Sequence, residues 1–121
     1  GADDALIGYY DSVQTMKGIQ ENHLNLLMLH EPDLADDFIN YPVDLVVAGH
    51  SHGGQINIPF IPFLNDFALA SSSLSAKYSG GMYRVGEEGK QKLYVNTGLG
   101  TTHISARFGV VPEITVFEIY I

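Results

Sequence analysis

At 121 residues the chain is about one domain long, and a 45% hydrophobic content is ample for a core. A net charge of −8 excludes a nucleic-acid surface, because phosphate backbones demand clustered lysine and arginine. With no cysteine there is neither a disulfide framework nor a thiolate metal site, and no apolar run approaches the length of a membrane span.

The chain opens on Gly1 rather than Met and is therefore expected to be cut from a longer one. A leader or anchor would lie upstream, so cytoplasmic and membrane-associated settings both stay open. Ile7 to Tyr10 reads as a short strand, and Ser12 to Asn22 as an imperfect helix interrupted by Gly18. Leu24 to Leu29 is an apolar strand-like run that ends at His30. From Asp33 to Asn40 the pattern predicts a short helix with Asp33 as its N-cap, stopped by Tyr41-Pro42. Asp44 to Ala48 is the next strand. Strand, helix, strand is the βαβ pattern, which sets parallel neighbours with their carboxyl ends together. That geometry carries His30 to the ends where open α/β sheets place their sites, beside His50 and His52.

His50 and His52 stand in Val46-Val47-Ala48-Gly49-His50-Ser51-His52-Gly53-Gly54-Gln55, where an apolar run breaks into a glycine turn. In extended backbone residues i and i+2 share a face, so both imidazoles reach one volume and suit a divalent metal. The same letters spell G-x-S-x-G, the nucleophile elbow of serine hydrolases, with Ser51 as nucleophile. An elbow requires a helix next. Here Gln55 to Ile58 alternates like a strand and prolines stand at 59 and 62, so the metal reading is favoured.

Beyond the turn, Pro59 to Ser75 reads as an irregular loop whose Phe60, Phe63 and Phe67 are expected to anchor it to the core, the alternative being contact with an apolar substrate or a membrane surface. Gly81 to Val85 and Gln91 to Val95 flank a glycine-bearing turn and predict a β-hairpin. Ile114 to Ile121 alternates cleanly and should close the sheet, which is expected to hold five or more strands. Glu31 and the acidic residues Asp3, Asp4, Asp36 and Asp37 read as solvated surface. His103 and Arg107 are the candidate substrate-binding residues, His103 at a pocket edge and Arg107 as the cation best placed to pair with a phosphate, against the commoner fates of a structural loop histidine and a surface salt bridge. His23 precedes a strand at its amino end, away from the other histidines.

His30-Glu31-Pro32 after a strand, followed by Gly49-His50-Ser51-His52-Gly53-Gly54-Gln55, resembles the calcineurin-like metallophosphoesterases. Within them the likeness is to a bacterial, membrane-associated branch of the YkuE and YaeI type. Gly1-Ala2-Asp3-Asp4, Tyr94 to Gly100, Arg107-Phe108 and Pro112 to Val116 are similar to segments of that branch, so the resemblance spans essentially the whole chain. It implies an α/β fold: part of a layered α-β-β-α sandwich, with a mixed sheet and a C-terminal β-hairpin. It also implies hydrolysis of a phosphomonoester, phosphodiester or pyrophosphate, on a phosphorylated small-molecule or lipid-linked substrate. The family's centre holds two divalent ions (manganese, iron or zinc), with His30 and His50 on one and His52 on the other. The family's three earlier motifs, Asp-x-His, Gly-Asp-x-x-Asp and Gly-Asn-His, are absent. Residues 1–121 are thus expected to be the C-terminal portion of one such domain, binding at most one metal weakly and catalytically incomplete. An uncovered sheet face would then invite a homodimer. The rival readings are a serine hydrolase using Ser51 and a non-catalytic metal-binding domain.

Overall fold

The computed structural model describes residues 1–61, 74–102 and 105–120. Its framework is a four-stranded mixed sheet, so the chain is α/β. After a single helical turn α1 (Ser12–Thr15) come β1 (Leu26–Met28), a 3-10 helix (Pro32–Phe38), β2 (Leu45–Ala48), β3 (Gly81–Val85) and β4 (Gln91–Val95). The sheet order is β1-β2-β4-β3. β1, β2 and β4 run parallel, and β3 returns antiparallel to β4 as the expected hairpin.

The core sits on one face. Leu27, Val46, Leu93 and Tyr83 form a single cross-strand row, and Val46 and Leu93 are fully buried. Phe38 and Ala35 of the 3-10 helix, both fully buried, belong to the same core. The next row, Met28, Val47, Tyr94 and Met82, points the other way. Met28 and Met82 remain more than half exposed there, whereas the Tyr94 ring meets Phe117 edge-on at 5.3 Å. Among the described residues no helix is long and apolar enough to cross a membrane.

Several local expectations give way to side-chain hydrogen bonding. Ile7 to Tyr10 is not a strand: Asp4 Oδ1 accepts from Leu6 N and Ile7 N, and Asp3 Oδ2 from Tyr9 N. Those N–H groups are satisfied within the loop, so no ladder forms, and Ile7 and Tyr9 face solvent. The helix from Ser12 lasts one turn, capped by Asp11, and ends well before Gly18, which takes a φ of +83°. Asp33 is not a helix cap; the Pro32–Phe38 helix starts after Glu31 without a side-chain cap. The Asp33 carboxylate instead accepts from Lys77 N and Tyr78 N, and Asp36 takes Lys77 Nζ and the Tyr78 hydroxyl. Asp33, read from sequence as a cap, and Asp36, read as solvated, thus bracket the chain re-entering at 74–78.

The sheet stops at four strands among the described residues. Residues 114–120 carry no strand although they alternate; alternation selects an extended chain, but a strand also needs a partner backbone. That segment is tied to β4 by side chains instead, with Asn96 Nδ2 donating to Thr115 Oγ1 at 2.9 Å. Gln55 to Ile58 keeps only one bridge, Ile56 to Phe108. Phe60 is fully exposed rather than anchoring its loop; Phe63 and Phe67 lie outside the described residues. Phe38→Ala is expected to cost about 3–5 kcal/mol, read by urea denaturation, because it empties the centre of the helix–sheet contact.

Candidate metal centre at the carboxyl ends of the parallel strands

Each strand of the parallel trio releases a loop at the same edge. His30 follows β1 by two residues and His50 follows β2 by two, and the backbones stay joined there by Gly49 N donating to His30 O. Asn96 N donates to Ala48 O, which keeps the loop after β4 alongside. The two imidazoles therefore leave the sheet side by side. His50 Nδ1 lies 3.0 Å from His30 Nε2, with ring centroids 4.6 Å apart. Two lone pairs at that separation repel, so either a proton or a cation lies between them. Nitrogens that share one ion at right angles, each ~2.0–2.1 Å from it, stand about 3 Å apart, so the pair fits a common metal.

The turn is not extended, as the sequence suggested. His50, His52 and Gln55 have φ of 63°, 49° and 58°, the left-handed region that L-residues avoid, and Ser51 between the histidines is right-handed. Such strain persists only where surroundings over-determine it, and it marks functional turns. Gly53 is required twice over: its φ is +61°, and an added Cβ would meet Val110 Cγ1 at 2.8 Å. Ser51 helps lock the turn. Its buried hydroxyl donates to Ser79 O at 2.6 Å and accepts from Gly53 N at 3.1 Å. A nucleophile needs an exposed Oγ whose proton goes to a base, and the helix of an elbow is replaced by a three-residue 3-10 turn.

His52 is held differently from the other two. Its Nδ1 lies 3.3 Å from Gly100 O, and because a carbonyl only accepts, Nδ1 carries the proton. Nε2 is then left with its lone pair, the arrangement seen where a metal-binding histidine is oriented by a backbone carbonyl. Arg107 Nη2 donates to the same Gly100 O and to Thr97 O, while Nε and Nη1 are buried without a hydrogen-bond partner among the described residues. His103 lies outside the described residues.

Two acidic residues at this edge were misread from sequence. Glu31 is not a solvated turn residue but is fully buried, and both its oxygens accept from Ala5 N. Asp4 Oδ2 approaches His30 Nε2 to 3.8 Å, and ligand atoms of Asp4, His30 and Glu31 all lie within 4.8 Å of one another. The Ile7 N–H, then that of Leu6, a hydrogen bond with Glu31 and the charge of His30 hold the Asp4 carboxyl below its usual 3.8, against the opposing effect of burial. No spacing in the sequence links residue 4 to residue 30; only the Asp-Asp pair ahead of a glycine hinted at a structured loop.

The chain is 38% identical over 117 residues to the uncharacterized metallophosphoesterase YkuE of Bacillus subtilis, covering 97% of this chain and 38% of that protein. It is 32% identical over 119 residues to the UDP-2,3-diacylglucosamine pyrophosphatase LpxG of Chlamydia muridarum, covering 98% and 36%. It belongs to the calcineurin-like metallophosphoesterases. A third relative, the phosphodiesterase YaeI of Escherichia coli, is 29% identical over 100 residues, covering 83% of this chain and 34% of its own. The chain thus spans well under half the length of these curated relatives. No family model matches it, and no solved structure does. The strain of the turn that carries His50 and His52 is measurable. His50→Gly should unfold at higher urea than His50→Ala, by about 1 kcal/mol, because only glycine is free of the left-handed penalty. Equal midpoints would mean that the φ of residue 50 is not enforced.

Proposed function

We propose that this chain is the C-terminal portion of a metal-dependent phosphoester hydrolase and carries part of its metal centre, in which His30 and His50 hold one ion and His52 contributes to a second. The observation that carries the reading is the 3.0 Å approach of His30 Nε2 to His50 Nδ1 at the ends of parallel strands. When bound, such ions polarise phosphoryl oxygens and lower the pKa of water. The chain's own residues do the rest of what can be derived. Gly49 N bonded to His30 O fixes the spacing of the histidine pair. Gly100 O fixes the tautomer of His52, and Arg107, by gripping Gly100 O and Thr97 O, holds that carbonyl in position. With Nε and Nη1 turned inward, Arg107 meets a substrate phosphate only if the loop rearranges, so positioning is its first role.

Manganese, iron or zinc suits this donor set. Two ions held close together need shared carboxylates to offset their repulsion, and three imidazoles do not supply that charge. The chain by itself is therefore expected to bind metal without appreciable turnover. A relative named UDP-2,3-diacylglucosamine pyrophosphatase supports a phosphorylated, lipid-linked substrate. Residues preceding this portion would cover the sheet face bearing Met28 and Met82; without them a second copy would do so.

The test is hydrolysis of bis(p-nitrophenyl) phosphate with Mn²⁺ or EDTA, together with fluorophosphonate labelling. Background turnover, no labelling of Ser51 and Mn²⁺ binding that His50→Ala removes are expected. Labelling of Ser51 would overturn the metal reading in favour of a serine hydrolase.

A further inference from the structure

We propose that Asp4 is a metal ligand, and that Asp4, His30 and His50 together hold one divalent cation in this chain. The inference rests on the histidine pair being a metal site and adds the carboxylate that the resemblance did not supply. The two oxygens of Asp4 have separate tasks. Oδ1 accepts from Leu6 N at 2.8 Å and Ile7 N at 2.9 Å, which fixes the side chain against its own loop. Oδ2 is left facing His30 Nε2 at 3.8 Å, the same nitrogen that His50 Nδ1 approaches to 3.0 Å. Donor atoms from two other stretches of chain thus both stand against one nitrogen of His30.

Glu31 is the brace for this arrangement rather than a further ligand. Fully buried, it takes the Ala5 N–H on both oxygens and so pins the residue after Asp4 to the residue after His30. Carboxylates packed this closely call for positive charge. Among the described residues neither forms an ion pair with lysine or arginine; the pairs found are Asp4 with His30, Lys77 with Asp36, and Lys90 with Glu88. A divalent ion bound by one carboxylate and two imidazoles would balance the site, with a mixed nitrogen and oxygen donor set that suits Mn²⁺, Fe²⁺ or Zn²⁺.

Isothermal titration with Mn²⁺ of the parent chain, Asp4→Asn and His50→Ala tests this. Asparagine keeps the Oδ1 acceptor for Leu6 and Ile7 and removes only the charge. One ion per parent chain, affinity reduced about tenfold or more in Asp4→Asn, and no binding by His50→Ala are expected. Parental affinity in Asp4→Asn with binding lost in His50→Ala would overturn the role of Asp4 and leave the histidine site standing. No binding by the parent, or parental binding by His50→Ala, would remove both. Circular dichroism monitors folding, and Asp4→Ser, whose hydroxyl preserves the turn, replaces any asparagine variant that fails to fold.

Discussion

The parallel pairing of β1, β2 and β4 is the constraint on which the rest of the molecule depends. Val46 lies at its centre, fully buried between Leu27 and Leu93, so the register cannot slip by one residue without turning the core row to the opposite face. Parallel strands also deliver their carboxyl ends to one edge. Because His30 and His50 each follow their strands by two residues, a fixed register becomes a fixed distance between two imidazoles. The spacing of the imidazole pair is thus inherited from hydrophobic packing some way beneath it.

Above that edge the chain accepts strain and surrounds it with restraints. Three non-glycine residues between 50 and 55 have left-handed backbone, held by the Ser51 hydroxyl bridge, by Gln55 accepting from Thr102 N, and by Gly53 lodged against Val110 and Thr97. Arg107 ties down the facing loop through Thr97 O and Gly100 O. A turn built this way resists reorganisation, since moving His52 would break its contact with the Gly100 carbonyl that sets its tautomer.

Acidic residues do structural work out of proportion to their exposure. Asp3, Asp4, Asp11, Asp33 and Asp44 all accept from backbone N–H groups. Each such bond satisfies a donor that would otherwise need a ladder or a helix, which explains why the loops at 3–10 and 74–78 are ordered without regular structure. Much of the chain's negative charge therefore serves the backbone.

By itself the sequence determined the strands at Leu24 to Leu29 and Asp44 to Ala48, the hairpin, the parallel order and the convergence of His30 with His50. All of these follow from local hydrophobic periodicity and the geometry of a short crossover, which a linear reading can follow. What tertiary structure alone decided is the fate of the polar residues. Whether Glu31 is solvated or buried, whether Asp33 caps a helix or clasps Lys77 and Tyr78, and whether Asp4 reaches His30 depend on partners 26 to 45 residues away in the chain. The strands expected at Ile7 to Tyr10 and from Ile114 onward, which do not form over 7–10 and 114–120, share that cause. Alternation specifies an extended backbone, while pairing depends on which donors are already satisfied and on which neighbour is present, and neither is written in the local pattern.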